Sequence, residues 1–284
     1  MISRSVARWG VIGAAALALS ACVSAPSLRL DAGDFSAHQE DSTVVVDHEP
    51  WRVFLETYAA EGADGVRRIA YDAVAEEDSS ALTYYVARQR RVRLDALNRA
   101  EQFAFWVNLY NALVVRLILE NGAPATFADL AIGPRGRGPR DIGTALISGR
   151  LVSLADIERV ALRGGFADPR IHYALTDAAL GDPNVAAFEA AELDAQLTEA
   201  ARRFVNHPRG ARPLRPGVVG LARLYFEHRS DFGETEEALK RHLRRYADPD
   251  LARAIRAAER FEPLPYDDRL NDLSPQGAAG RSGA

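Results

Sequence analysis

The sequence predicts an α+β protein that is predominantly helical and is organised around one long buried helix. Apolar side chains occupy nearly every face of the segment from Phe103 to Leu119, whereas in several flanking segments they recur at the spacing of amphipathic helices. Short β-branched or alternating runs suffice only for a small β-sheet. With 48% hydrophobic and 26% charged residues among 284, the chain has enough apolar side chains to bury a core.

The first 21 residues have the pattern of a secretory signal peptide. Arg4 and Arg8 give a basic start, an apolar stretch follows, and small residues precede Cys22. Residues 19–22, Leu-Ser-Ala-Cys, resemble the lipobox of bacterial lipoproteins. This resemblance implies cleavage before Cys22 and attachment of diacylglycerol and fatty acyl groups such as palmitate. An ordinary signal peptide with a chance cysteine, or a short membrane anchor, is the alternative.

The chain is therefore expected to have four parts. Residues 1–21 are the signal peptide and residues 22–47 a lipidated tether that is rich in small and polar residues at its start. Residues 48–271 form a single domain, and residues 272–284 are a disordered tail. The lipid on Cys22 makes the membrane the first expected partner.

The residue after the lipidated cysteine indicates the membrane. Val23, rather than an aspartate, follows Cys22. In the lipoprotein pattern of enteric bacteria this favours sorting to the outer membrane. We expect a lipid-anchored protein of the cell envelope, at the periplasmic face of the outer membrane.

Charge and cysteine content exclude several classes of function. The net charge of −4 becomes −6 once residues 1–21, with two arginines and no acidic residue, are removed, and this excludes nucleic acid as a partner. Acylation of Cys22, the chain's one cysteine, excludes disulfides, cysteine-ligated zinc and thiol catalysis.

The helices begin with two or three amphipathic segments between residues 51 and 92, and the strongest signal then covers residues 99–121. Asn98 and Glu101 have the spacing of a capping box, and a glycine and a proline end the helix. Asn108 and Asn111 interrupt the apolar run, so we interpret it as a core helix rather than a membrane span.

The later elements are shorter. We predict, in order, a β-hairpin over about 144–154, a short helix over 155–162, a buried strand over about 170–175, an amphipathic helix over 193–204, helical segments over 221–226 and 234–246, and an extended segment over 260–266.

An arginine- and glycine-rich segment precedes the hairpin. Its spacing fits neither a Walker loop nor a dinucleotide-binding fingerprint. We expect a mobile surface loop, with Arg135, Arg137 and Arg140 as lid contacts in the alternative interpretation. We predict no cofactor and no bound metal.

Three separated blocks resemble the family catalogued as domain of unknown function 547. They are residues 101–112 (EQFAFWVNLYNA), 168–175 (DPRIHYAL) and 266–271 (YDDRLN). With weaker agreement elsewhere, the resemblance covers residues 48–271. It implies a mostly helical α+β domain found in bacterial envelope proteins and some eukaryotic ones, and it implies no established reaction.

One departure from this family concerns two aspartates. The resemblance implies that many bacterial relatives carry Cys-x4-Cys-Pro after the histidine block, whereas this chain has Asp177 and Asp182. The relatives' thiols would be a disulfide or a nucleophile, whose chemistry is lost here, or metal ligands that carboxylates also supply. Aspartates next to a glycine and a proline also organise turns. The sequence leaves these interpretations open.

The candidate catalytic residues are His172, Asp177 and Glu101. A histidine on a buried strand, a buried glutamate and a carboxylate just beyond the strand are the parts of an acid–base pocket. The same side chains can be structural, with His172 hydrogen-bonded in the core and Glu101 as the reciprocal capping partner of Asn98. The remaining histidines, among them His228, show no ligand spacing and are interpreted as structural or exposed.

Five further residues are candidates for ligand binding. An unsatisfied buried polar group costs about 1–3 kcal/mol, so buried amides in an apolar helix either brace backbone or line a polar pocket. The other candidates are the second of the two aspartates that follow the histidine block and two residues of the third block. The five are Asn108, Asn111, Asp182, Tyr266 and Asp267.

Two classes of function remain. We favour a membrane-anchored envelope lipoprotein that binds a ligand or partner, either an envelope protein or a small molecule, through a degenerate polar pocket, because this chain lacks the relatives' thiols. The alternative is an envelope hydrolase or group transferase that uses His172 with Asp177 and Glu101.

The lipid anchor is directly testable. Replacing Cys22→Ser removes the acylated thiol, so the protein should move from the membrane fraction to the soluble fraction of the cell envelope. Fractionation followed by immunoblotting measures this. Unchanged membrane association of the Cys22→Ser protein would contradict the lipoprotein interpretation.

Overall fold

The computed structural model describes residues 30–130 and 138–273. The predicted signal peptide, Cys22, Arg135 and Arg137 lie outside the described residues. Residues 30–47, expected as part of the tether, contact the domain, because Phe35 and Val46 are apolar and are buried in its core. Phe35 packs edge-on against Trp106, with ring centroids 5.0 Å apart. Folded structure therefore begins before residue 48.

The predicted α+β class and the long central helix are confirmed. Helix α3 covers Arg99–Asn121 and is buried along most of its length. It is long and apolar enough to cross a membrane, but 89% of its most apolar window is buried inside the protein. It is therefore the core helix of the described domain.

The start of α3 departs from the predicted capping box. The Asn98 side chain accepts a hydrogen bond from the Glu101 amide, as expected of an N-cap. Glu101 does not reciprocate, because its carboxylate accepts the amide of Val46 at 3.1 Å. The N-cap fixes the helix start, and Glu101 ties the N-terminal segment to it.

The first hydrophobic cluster forms around α3. Its aromatic members include Trp51, Phe54 and Tyr85, all of which are buried. The two preceding helices confirm the predicted amphipathic segments, and a short antiparallel pair of strands lies between them. The elements are α1 (Glu49–Tyr58), β1 (Ala59–Glu61), β2 (Arg67–Ile69) and α2 (Glu76–Gln89).

The predicted hairpin is present as β3 (Gly143–Ile147) and β4 (Arg150–Ser153), paired antiparallel. Ser148 and Gly149 form its turn with φ of 50° and 75°, the left-handed conformations that a tight two-residue hairpin requires. A helical run then continues the chain, through α4 (Leu154–Asp156), a π-helical stretch (Ile157–Arg163) and α5 (Gly164–Phe166).

The strand predicted over about 170–175 is wrong. Ile171–Ala174 is one helical turn, α6, with the Leu175 amide bonded to the Ile171 carbonyl at 3.1 Å. The Asp168 side chain accepts the Arg170 amide and starts this turn. A short apolar run fits a buried strand or a buried helical turn equally well by its periodicity.

The C-terminal elements surround a second hydrophobic cluster that includes Tyr173, Phe204 and Tyr225. Its three-stranded sheet has the order β5-β6-β7, with β6 antiparallel to β5 and parallel to β7. The predicted helix over 221–226 starts later, because Leu221 ends a strand. The elements are α7 (Leu193–Asn206), β5 (Ala211–Arg215), β6 (Val218–Leu221), α8 (Leu224–Glu227), α9 (Glu236–Tyr246), α10 (Pro249–Ala257) and β7 (Arg260–Pro263).

Two buried side-chain amides of α3 hold the backbone at the end of α6 and in the segment after it in place. Asn108 donates to the Phe188 carbonyl at 2.7 Å and accepts the Phe188 amide at 2.9 Å. Asn111 donates to the Ala174 carbonyl at 2.8 Å and accepts the Thr176 amide at 3.2 Å. Of the two alternatives for these amides, the structure therefore has them bracing backbone.

Asn108→Ala tests this bracing. The substitution leaves a buried amide and carbonyl of Phe188 without partners, so the free energy of unfolding should fall by about 2–4 kcal/mol. Urea denaturation followed by circular dichroism measures the change. Asn121→Ala is the control, because Asn121 bonds only within its own helix end, and its effect should stay within about 0.5 kcal/mol. Equal losses for the two variants would contradict the assigned role.

Candidate functional site

The candidate site is an open cavity of about 460 Å³, which we call the site cavity. Tyr110 of α3 lies at its base, and the π-helical stretch supplies Glu158 and Arg163. His172 of α6 and Asp177, in the segment after α6, complete the inner wall. The cavity lies where elements of both hydrophobic clusters meet.

Arg140 is the centre of the first polar network. Its guanidinium donates hydrogen bonds to the carboxylates of Asp177 and Glu158 and, at 2.9 Å, to the Tyr110 hydroxyl. The Tyr110 hydroxyl donates in turn to Asp177 at 2.5 Å. One arginine thus pairs with two carboxylates at the cavity wall.

The protonation states of this network follow from burial and charge. Burial, with Asp177 next to it, raises the pKa of Tyr110 well above 10, so the phenol stays protonated. Burial alone would lower the pKa of Arg140, but the neighbouring carboxylates of Asp177 and Glu158 outweigh it and raise that pKa. Arg140 is therefore a permanent cation.

A second chain of polar groups holds His172. Its Nε2 lies 2.8 Å from an oxygen of Asp231, and Arg163 donates to the same carboxylate at 2.5 and 3.0 Å. Burial, and then the proximity of His228, lowers the pKa of His172 to about 4. Burial tends to raise the pKa of Asp231, but hydrogen bonds from Arg163 and His172 hold it well below its usual range. His172 is thus neutral near pH 7. Its hydrogen bond to Asp231 assigns the imidazole proton to Nε2, so the lone pair of Nδ1 is the acceptor of the ring.

His228 adds a second imidazole to the cavity. Its ring stacks on that of His172 with centroids 4.2 Å apart and an interplanar angle of 16°. Its Nε2 lies 3.7 Å from Glu158, and burial lowers its pKa. The cavity therefore holds two stacked imidazoles beside a buried carboxylate.

His172, His228 and Glu158 have the donor types of a zinc or iron site, with one donor atom of each within 4.8 Å of the others. Two features oppose coordination in this arrangement. Stacked rings direct their lone pairs side by side, so one ring would have to turn before both could bind one ion. Glu158 also already accepts a hydrogen bond from Arg140. The arrangement suits hydrogen bonding better than metal binding.

Asp182 organises the turn that follows Asp177. Its carboxylate accepts the amides of Asp177 at 2.8 Å and Ala179 at 3.3 Å, and the Tyr266 hydroxyl at 2.7 Å. Between them, Ala178 has a left-handed φ of 61°. Burial and the neighbouring Asp177 raise the pKa of Asp182. The two aspartates thus differ, since Asp182 bonds mainly within the turn and Asp177 bonds the cation.

The structure brings together part of the candidate set. His172, Asp177, Asp182 and Tyr266 line the site cavity. Glu101, Asn108 and Asn111 instead bond backbone elsewhere, and Asp267 pairs with Arg269 at 2.5 Å. The carboxylate that holds His172 is Asp231, which the sequence interpretation did not consider, and not Asp177.

Sequence reasoning missed half of the site. From the sequence, Arg140 is predicted only as an alternative lid contact, and His228 as a structural or exposed residue. The spacing of three between His228 and Asp231 was the available signal, and it is common on helical turns. The residues not proposed for the site from the sequence are Tyr110, Glu158, Arg163, His228 and Asp231.

The family described as "Protein of unknown function, DUF547" matches residues 94–205. The chain is similar to this family over that segment, which contains α3 and the first two of the three blocks. The third block, His228 and Asp231 lie outside it. None of the curated proteins and none of the solved structures compared with the chain matches it. The comparisons therefore support the family resemblance and assign no activity.

The buried histidines predict a pH dependence of stability. His172, His48 and His242 each have a pKa lowered to about 4, with burial as the main cause, against 6.5 in the unfolded chain. The folded state binds fewer protons between these values, so this stability is complete above pH 6.5 and is lost as the pH falls toward 4. His172 alone accounts for up to about 3 kcal/mol.

Thermal unfolding between pH 7 and pH 4.5 measures this effect. His172→Gln should flatten the fall in melting temperature, because one titrating group is removed. His38→Gln, on the exposed N-terminal segment, is the control and should keep the slope of the unaltered protein. A slope that His172→Gln leaves unchanged would mean that His172 does not titrate differently in the two states.

Proposed function

We propose that this protein is a lipid-anchored protein of the bacterial cell envelope whose folded domain binds a small polar molecule in the site cavity. The signal-like start and the lipobox-like residues 19–22 support the anchor. One observation carries the binding function. Arg140 is paired with Asp177 and Glu158 and lies at the wall of the same open cavity as neutral His172.

The free hydrogen-bonding groups of the cavity favour a ligand with both donors and acceptors. Among the described residues, the Nε–H of Arg140 has no partner and suits a ligand acceptor. Nδ1 of His172 likewise has no partner in the part of the chain that the structure describes, and it accepts a ligand donor. Arg223 and Glu227 add one charge of each sign to the lining. A zwitterion such as an amino acid or dipeptide matches this lining.

An envelope hydrolase or group transferase is the second candidate, and the chain His172–Asp231–Arg163 favours it. A carboxylate that holds Nε2 of an imidazole orients Nδ1 as a base and stabilises the imidazolium that forms. Two features weigh against catalysis. A pKa of about 4 makes His172 a weak base near pH 7. Asp177, already bonded to Arg140 and Tyr110, is a poor replacement for a thiol nucleophile. Binding is therefore the better supported function.

Calorimetric titration with amino acids and dipeptides tests the proposal. Removing Arg140 alone would leave buried Glu158 unpaired and destabilise the domain, so the double variant Arg140→Met/Glu158→Gln removes both charges. Asp177, the second partner of Arg140, keeps the hydrogen bond from the Tyr110 hydroxyl. It should lose at least tenfold in affinity for the ligand that the unaltered protein binds. Arg150→Met is the matched control, because Arg150 pairs with Asp34 away from the cavity lining, and it should bind normally.

The same variants separate binding from catalysis. If the protein only binds, His172→Gln and Asp231→Asn should change affinity, and no turnover of esters, peptides or amides should depend on them. Turnover that both variants abolish while affinity is kept would replace the binding proposal with the enzymatic one. Failure of every zwitterion in the panel to bind would reject the ligand class.

A further inference from the structure

A second cavity of about 740 Å³ lies between α7 and the segment 184–188, and we call it the α7 cavity. It shares only the ring of Phe204 with the lining of the site cavity. None of the residues proposed for the first site from the sequence lines it. It is a separate compartment of the described domain.

The inner wall of the α7 cavity is apolar. Three parts of the chain line this wall: the segment 184–188 with Val185 and Phe188, α7 with Ala200 and Phe204, and α6 with Tyr173. Val185, Phe188, Phe204 and Tyr173 are buried, so the wall is fixed by core packing. Such a wall accommodates a hydrocarbon body.

Two arginines at this cavity have no acidic partner. Arg67 donates to the carbonyls of Val185 at 3.1 Å and Leu55 at 3.2 Å. Arg209 donates to the Leu180 carbonyl at 2.9 Å and to the Asn184 side chain at 2.6 Å. Within residues 30–130 and 138–273, no carboxylate lies within ion-pair distance of either guanidinium.

Arg209 in addition has an unsatisfied donor. Its Nε is buried and has no hydrogen-bond partner among the described residues. Burial lowers the pKa of Arg209 to about 10 and also lowers that of Arg67. A buried cation that has no carboxylate in direct contact among the described residues is costly, so a ligand anion would be stabilised here.

The carboxylates of the cavity do not supply that counter-charge. Glu61 and Glu199, which both line it, pair with Arg203 at 2.8 and 3.2 Å. The three lining arginines therefore exceed the two lining carboxylates by one charge, in a chain whose net charge is −4. One excess positive charge next to an apolar wall matches a ligand that has one negative charge and an apolar body.

We infer that the α7 cavity binds an amphiphilic monocarboxylate, with its carboxylate at Arg209 and Arg67 and its acyl chain along Val185, Phe188 and Ala200. The inference is independent of the proposed function, because it uses neither the site cavity nor the lipid on Cys22. An acyl carboxylate supplies both features that the cavity lacks, an anion for the arginines and apolar atoms for the wall.

Calorimetry with hexanoate, octanoate and decanoate tests the inference on the full chain carrying Cys22→Ser, which removes the proposed lipid. Affinity should rise about fourfold per added methylene while the chain remains within the apolar wall. Octanol, the neutral analogue, should bind at least tenfold more weakly than octanoate. Equal affinities for octanol and octanoate, or no binding of decanoate at millimolar concentration, would overturn the inference.

Three substitutions locate the binding. Arg209→Met should weaken octanoate binding at least tenfold and leave octanol unchanged, whereas Ala200→Trp should block both by filling the cavity. Arg202→Met, on the exposed side of α7, is the matched control and should bind octanoate normally. Melting temperatures confirm that each variant is folded. Octanoate binding that survives both Arg209→Met and Ala200→Trp would place the site elsewhere and reject the assignment.

Discussion

The burial of α3 is the constraint on which the rest of this structure depends. A helix buried along most of its length must give each polar side chain a partner, because water is not available to satisfy it. Glu101 binds the N-terminal segment and Tyr110 binds Asp177. Asn111 binds backbone at the end of α6, and Asn108 binds backbone at Phe188. The core helix therefore positions irregular chain as well as apolar side chains, and one of these contacts lies in the site cavity.

The segment between α6 and α7 shows the consequence. Asn111 fixes its beginning at Thr176 and Asn108 fixes its end at Phe188. Between these points the Asp182 turn presents Asp177 to one cavity, while Asn184 faces Arg209 in the other. No named strand lies in this segment. Side-chain hydrogen bonds to its backbone, together with backbone hydrogen bonds between residues 178–181 and residues 267–271, determine its path. The first half of this segment lines the site cavity and the second half lines the α7 cavity.

Charge compensation distinguishes the two cavities. In the site cavity the buried or half-buried cations Arg140 and Arg163 each have a carboxylate partner, and the imidazoles are kept neutral by burial. These cations are therefore not left without an opposite charge, as expected because moving a charge out of water costs free energy. At the α7 cavity, Arg67 and Arg209 donate, within the described part of the chain, only to carbonyl and amide oxygens. This difference is why a polar, balanced ligand suits the first cavity and a monoanion suits the second.

The sequence by itself determined the helical α+β class, the bounds and N-cap of α3 and the hairpin near residue 148. These depend on local signals, namely apolar periodicity, capping residues and turn residues. The sequence also singled out His172 and Asp177, which line the site cavity. Only the tertiary structure decided that α6 is a helical turn, that Glu101 binds Val46, and that Asp231 rather than Asp177 holds His172. Asp231 is 59 residues from His172, and local periodicity carries no information about such contacts. Burial, which lowers the pKa of both His172 and Arg209, is likewise a property of the packed chain.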